Sequence, residues 1–196
     1  MKPKNIVVFA SGTGSNFKAI HQAILKKELT ARITALISDN PDAGALSYAR
    51  ENGIRGIVLS PSGFGEPARY SRELGKVLEE ESPELIVLAG YLKKIPDEIV
   101  DRYHRRIVNI HPALLPKYGG KGWYGMRVHR AVIENGDKES GCTIHYVTRV
   151  YDEGPIIARV KVPVHEDDTA ETLAARVLKQ EHQLYPKVVR FLLAES

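Results

Sequence analysis

The 196 residues contain a single cysteine, Cys142. That excludes an internal disulfide framework and any zinc site built on cysteine pairs. No stretch approaches the roughly 18 consecutive apolar residues of a membrane-spanning helix, and Met1-Lys-Pro-Lys is too short and polar to begin a signal peptide. The cytoplasm is the expected compartment. Charge of one sign is also lacking in excess: 28 basic and 24 acidic residues leave a net +4. This mild, evenly spread balance does not argue for nucleic acid and suits a small anionic ligand. Repeats, low-complexity segments and linkers are missing, and a chain of this length can build one sizeable core. One domain over residues 1–196 is therefore expected. Histidines at metal-ligand spacing with carboxylates are missing too, so no metal is expected. His21, His104, His165 and His182 carry no surrounding pattern and read as surface residues; His129 and His145 stay unassigned.

What is present is an alternation of short apolar runs with helical patterns. Asn5 to Ala10, Ile33 to Ser38, Gly56 to Leu59, Leu85 to Ala89 and Ile107 to Ile110 read as strands, most of them without polar alternation and so buried on both faces. Helical patterns cover Phe17 to Lys27, Asp42 to Asn52, Glu66 to Glu81 and Arg127 to Glu134. Such alternation makes a parallel sheet with right-handed crossovers. Cys142 to Val147 and Pro155 to Val164 are strands with a short connection, which favours an antiparallel pair at the sheet edge. A last helix starts at Asp168, with Glu171 three residues on as a capping box. The expected fold is α/β: a doubly wound, mostly parallel Rossmann-like sheet with an antiparallel C-terminal edge pair and a long C-terminal helix.

Three features of this frame carry chemistry. Ser11-Gly12-Thr13-Gly14-Ser15-Asn16 joins the first strand to the first helix, where free N–H groups and the positive helix end attract a phosphate or carboxylate. A plain strand-to-helix turn would look much the same. The dinucleotide variant needs a third glycine where Phe17 stands, and Asp39 lies far from the glycines for a ribose-binding acid, so a nicotinamide cofactor is not expected. Next, Asn109 and His111 stand two apart in an extended strand and so share a face. Pro112 stops that strand at its carboxyl end, where open α/β sheets bind ligands. Finally, the last helix has an apolar stripe of Leu173, Val177, Leu184, Val188 and Leu192, and Glu181 falls on it. A core-facing carboxylate costs several kcal/mol unless it is paired or lines a wet cavity. Between these features lie two less decided loops. Lys117 to Met126 holds four glycines and three aromatics, suiting either a mobile flap or a disordered connection. Asp152, in the loop Thr148 to Gly154, caps no helix, and its spacing favours a plain turn aspartate.

Taken together, Ser11–Asn16, Leu88–Tyr91, Asn109–Pro116, Ile144–Val147 with Asp152–Pro155, and Gln180–His182 resemble the folate-dependent formyltransferases, from about Lys4 to Phe191. The Asn-x-His…Asp set is common to that family. The glycine-rich turn and the final-helix acid resemble the branch that acts on glycinamide ribonucleotide in purine synthesis. The resemblance implies formyl transfer from 10-formyltetrahydrofolate to the amine of that nucleotide, in a monomer or homodimer with no nucleic-acid or membrane partner. It implies catalytic roles for Asn109, His111 and Asp152, with Asp152 pairing with His111 and favouring its charged form. It implies phosphate binding at Gly12, Thr13, Gly14, Ser15 and Asn16, and amine binding at Glu181. It places Leu92, Lys93, Lys94 and Ile95, with Thr148 and Val150, around the folate pterin. Three departures stand out: Gly119 to Met126 replaces a short Pro-Gly loop bearing a His, Pro67 replaces an Arg (with Arg69 nearby), and Leu178 replaces a Gln. A formyltransferase for a sugar amine or methionyl-tRNA, and a formyl-folate hydrolase, are the neighbouring alternatives, each usually carrying a further domain. A non-catalytic nucleotide-binding module is the distant one, and it would have no use for Asn109, His111 and Asp152 together.

Overall fold

The computed structural model describes residues 3–195. The polar Met1-Lys2 start, read above against a signal peptide, lies outside them, as does Ser196. Seven strands form one sheet in the order β3-β2-β1-β4-β5-β6-β7. In chain order these are β1 (Lys4–Phe9), β2 (Ala31–Ser38), β3 (Arg55–Val58), β4 (Leu85–Leu88), β5 (Ile107–His111), β6 (Glu139–Tyr146) and β7 (Ile156–Pro163). The first five are mutually parallel where they pair, and β6 runs antiparallel to both β5 and β7. The mostly parallel sheet with an antiparallel C-terminal edge is the fold expected above.

The unbroken apolar runs are explained by cover on both faces. Along β1, Ile6 and Val8 point into one core layer, and Val7 and Phe9 point into the other. The first layer takes Phe17 and Ile20 from α1 (Ser15–Leu25), Leu46 from α2 (Gly44–Glu51), Val132 from α5 (Met126–Glu134), and Leu173 and Val177 from α6 (Ala170–Glu195). The second takes Tyr70, Leu74 and Leu78 from α3 (Pro67–Glu81) and Ile99 from α4 (Asp97–Arg102). Short α4 has no counterpart in the reading above, because six residues carry too few turns to show a period. At about 25 cal/mol per Å² of apolar surface removed from water, these two layers supply the main drive to fold.

The chain turns from β1 to β2 on one side and returns to β4 on the other, so the topological switch point lies between β1 and β4. The two strand ends are stitched there. The Ser11 amide donates to the Gly90 carbonyl (3.1 Å), and the Ser11 hydroxyl accepts the Leu92 amide (3.0 Å) while donating to Asp39 (2.5 Å). Asp39 is thus committed to the fold.

Two expectations about polar residues change. The start of α6 is capped by Thr169 and Thr172, each amide facing the other's hydroxyl. Asp168 instead accepts from Arg176 and the His165 amide. His21 is buried, its Nδ1 3.0 Å from the Tyr48 hydroxyl, because it lies on the α1 face packed against α2. His182 is half-buried, whereas His104 and His165 are exposed.

Candidate active site

A cavity of about 810 Å³ opens at the carboxyl ends of β1, β4 and β5. One wall is the turn into α1. Gly14, the residue before that helix, has φ +71°, and a Cβ there would stand 2.7 Å from the Ala45 Cβ. Only glycine satisfies both the left-handed backbone and the space. No side chain among the described residues caps the helix, so its first turn brings N–H groups and the positive end of the helix dipole to this wall. Gly12, Thr13, Gly14, Ser15 and Asn16 all line this wall.

Above it stands Glu181, and its position follows from Tyr185 one turn later. The fully buried Tyr185 hydroxyl shares its one proton between the carbonyls of Leu88 (2.9 Å) and Val108 (3.1 Å), which pins α6 over the ends of β4 and β5. The α6 stripe therefore runs Leu173, Val177, Glu181 and Tyr185, and Leu184, expected on it, is only half-buried. Glu181 accepts one hydrogen bond, from Asn16 Nδ2 at 2.7 Å. Burial pushes its carboxyl above the usual range, and the Asn16 bond opposes this only in part. The Asn16 Oδ1 is buried with no partner among the described residues. A buried acid with a single donor and an unsatisfied amide oxygen lie side by side at this wall, which suits a ligand bearing N–H or O–H donors.

The opposite wall is β5 with β6. Asn109 and His111 both line the cavity, as the two-residue period requires. In the antiparallel register Asn109 lies opposite His145, and His111 opposite Thr143. His145 Nδ1 is 2.9 Å from the Tyr146 carbonyl, and a carbonyl can only accept, so Nδ1 carries the proton. Its Nε2 then accepts from Asn109 Nδ2 at 3.2 Å, which fixes the amide's orientation. By the same logic His111 Nε2, 2.7 Å from the Tyr118 carbonyl, is a donor, and its Nδ1 faces Asp152 Oδ2 at 3.6 Å. Asp152 sits at φ +57°, takes the Gly120 amide at 2.9 Å and also lies 3.5 Å from His145 Nε2. It is no plain turn aspartate.

Two opposing effects act on His111 in this corner. Burial lowers the His111 pKa from its usual value, and this outweighs the opposing pull of Asp152. The ring is therefore biased toward its neutral form, although it is paired with Asp152. Burial alone would raise the Asp152 carboxyl, but the pull of the His145 and His111 rings in their charged forms, with the Gly120 amide, holds it below the ordinary value. The arrangement is a neutral imidazole with a bare nitrogen beside an ionised carboxylate, a pair able to take and return one proton.

The remaining predicted residues line the mouth of the same cavity: Leu92, Lys93, Lys94 and Ile95 after β4, and Thr148 and Val150 after β6. Leu92 and Val150 expose 49% and 52% of their surface, apolar area suited to a flat ring. Lys93 lies 3.7 Å from Asp39, and Lys94 pairs with Asp97 at 2.7 Å. Arg69 is exposed on α3 and outside the cavity lining; Leu178 is part of that lining. The glycine-rich segment after His111 forms turns along the cavity, with Trp123 edge-on to Tyr118 at 5.5 Å and under Arg127 at 5.3 Å. Two lining histidines were not singled out from sequence. His129 is buried, its Nδ1 has no hydrogen-bond partner among the described residues, and burial drives its pKa to about 4. His145 was legible only through its pairing with β5.

With this geometry established, comparison with known proteins gives consistent results. Residues 4–189 match the formyl transferase family. The chain is 48% identical over 196 residues to the chloroplastic phosphoribosylglycinamide formyltransferase of Vigna unguiculata, spanning 100% of this chain and 62% of that protein. To the phosphoribosylglycinamide formyltransferase of Escherichia coli (strain K12) it is 40% identical over 185 residues, covering 94% of this chain and 85% of that one. The solved phosphoribosylglycinamide formyltransferase of Brucella melitensis superposes with a TM-score of 0.89 at 40% identity, covering 97% of this chain and 96% of that chain.

Proposed function

The chain belongs to the formyl transferase family, and on that premise we propose that it transfers the formyl group of 10-formyltetrahydrofolate to the amine of glycinamide ribonucleotide. The whole of residues 1–196 acts as one formyltransferase domain in this reading. The observation that carries it is the joining of three parts in one cavity: an uncapped helix N-terminus, an acid on the α6 stripe, and the Asn109–His111–Asp152 set.

The nucleotide phosphate rests on the Gly12–Asn16 turn, and Glu181 with Asn16 receives the glycinamide end. The pterin lies between Leu92–Ile95 and the Thr148–Val150 loop. The amine nitrogen then attacks the formyl carbon, and the carbonyl oxygen becomes an oxyanion. Asn109 directs its amide N–H to that oxygen, a contact whose loss costs about 3–4 kcal/mol in comparable sites. His111 Nδ1 is the free position for the proton leaving the attacking amine, and the Asp152 carboxylate stabilises the imidazolium so formed. Collapse of the intermediate breaks the bond between the formyl carbon and the folate nitrogen, and that nitrogen takes the proton. Bonds and protons balance without a covalent enzyme intermediate or a metal.

A direct assay tests the reading. The protein is incubated with 10-formyltetrahydrofolate and glycinamide ribonucleotide, and the folate absorbance change is followed. Turnover that depends on the nucleotide is expected. Turnover with a sugar amine but none with this nucleotide would overturn the assignment.

A further inference from the structure

The segment Tyr118-Gly119-Gly120 touches both members of the His111–Asp152 pair. The Tyr118 carbonyl takes the His111 Nε2 proton at 2.7 Å, and the Gly120 amide donates to Asp152 Oδ2 at 2.9 Å. Between them the backbone passes so close that a Cβ on Gly119 would stand 3.3 Å from the Asp152 Cβ. Something must hold this backbone, because Tyr118 adopts φ +56°, a conformation that costs a non-glycine residue of order 1–3 kcal/mol unless its surroundings enforce it.

The anchor lies outside the cavity. The Tyr118 hydroxyl donates to Asp137 Oδ2 at 2.8 Å and accepts the Asn135 side-chain amide at 2.7 Å. Lys117 grips the same carboxylate at 2.6 and 2.7 Å. Asn135 and Asp137 flank the turn that ends α5, and the half-buried Tyr118 ring packs against the core layer beneath it. The side chain is thus tied to the α5–β6 turn while its carbonyl reaches back into the cavity.

We propose that Tyr118 is a positioning residue: anchored by Asp137 and Asn135, it holds the 118–120 segment as a clip that fixes His111 in its Nε2–H form and Asp152 beside the bare Nδ1. A histidine in the other tautomer would point its donor at Asp152 and its one lone pair, on Nε2, at the Tyr118 carbonyl instead of at the amine proton. The clip therefore selects the ring state that the proposed reaction uses, and to that extent it rests on the proposed function. Its structural content does not.

The test has two arms. Nitrogen-15 NMR of the ring, above neutral pH and without substrate, should show His111 of the native protein protonated at Nε2 and bare at Nδ1. In Tyr118→Phe, which keeps the ring and loses only the hydroxyl bonds, the His111 signals should move toward a mixture of tautomers. In Asp137→Leu, which also frees Lys117, they should move further. In the kinetic arm, kcat for formyl transfer should fall ~10-fold or more in both variants with KM for either substrate little changed, within the ~10²–10⁴-fold that acid–base catalysis supplies. A native ring protonated at Nδ1 would overturn the proposal, whatever the variants do. So would an unchanged His111 spectrum in folded Tyr118→Phe. Failure of formyl transfer with the spectra as expected would instead count against the proposed function alone.

Discussion

Two carboxylates face the same cavity from opposite walls, and their surroundings drive them apart. Asp152 lies among two histidine rings and a backbone amide, which overcome burial and keep it ionised. Glu181 sits on the buried stripe of α6 with one donor, Asn16, and burial wins. The lesson concerns neighbours rather than depth: both acids are largely withdrawn from water, but two histidine rings able to carry charge stand beside Asp152 and none is paired with Glu181. Titratable pairs pushed in opposite directions mark a division of labour. The ionised acid is equipped to stabilise a charge arising on His111, and the raised one to bind a polar group at the substrate end.

The comparison breaks most visibly at the Asp152 wall. Asp152→Asn and His111→Ala should each lower kcat by ~10²–10⁴-fold in steady-state assays while leaving the circular dichroism spectrum unchanged. Because Asp152 raises the His111 pKa, Asp152→Asn should also move the acid limb of the kcat profile to lower pH. Asn109→Ala should cost somewhat less, ~10²–10³-fold in kcat, as for loss of one oxyanion donor. At the other wall the effect should fall on binding. Glu181→Ala should raise KM for the amine substrate about tenfold or more, since a hydrogen bond to a charged group is worth ~1.5–3 kcal/mol. Unchanged kinetics in that variant would return Glu181 to the fold.

A smaller effect sharpens the contrast through stability. The folded protein holds the Glu181 proton above the pH at which the unfolded chain, with an ordinary Glu near 4.5, releases it. The stabilisation is complete below that value and is lost as pH rises through the raised folded value. Glu181→Gln removes the cost of burying the ionised form and keeps an oxygen for Asn16. Its thermal midpoint should exceed that of the parent at alkaline pH, with the gap closing in acid.

The sequence disclosed these two acids unequally, for physical reasons. Glu181 stood out because a helix face is legible from period alone, and one charge on it breaks the pattern. Asn109 and His111 were legible in the same way from the strand period. Asp152 was ambiguous, since its meaning depends on β6 lying antiparallel beside β5, a long-range pairing that no local pattern encodes. His145 and the Tyr118 carbonyl were hidden for that reason: one is placed by cross-strand register, and the other is a backbone atom. The buried His21 shows the reverse error, in which a residue without a motif was read as exposed although its helix face packs against α2. Composition and period determine layers and strand ends well; partners across the sheet come only with the fold.

Carbon-13 NMR titration of the two carboxyl groups in the free protein tests the division of labour most directly. Asp152 should titrate below the ordinary aspartate range and Glu181 above the ordinary glutamate range. Equal, ordinary values, or the opposite order, would contradict it.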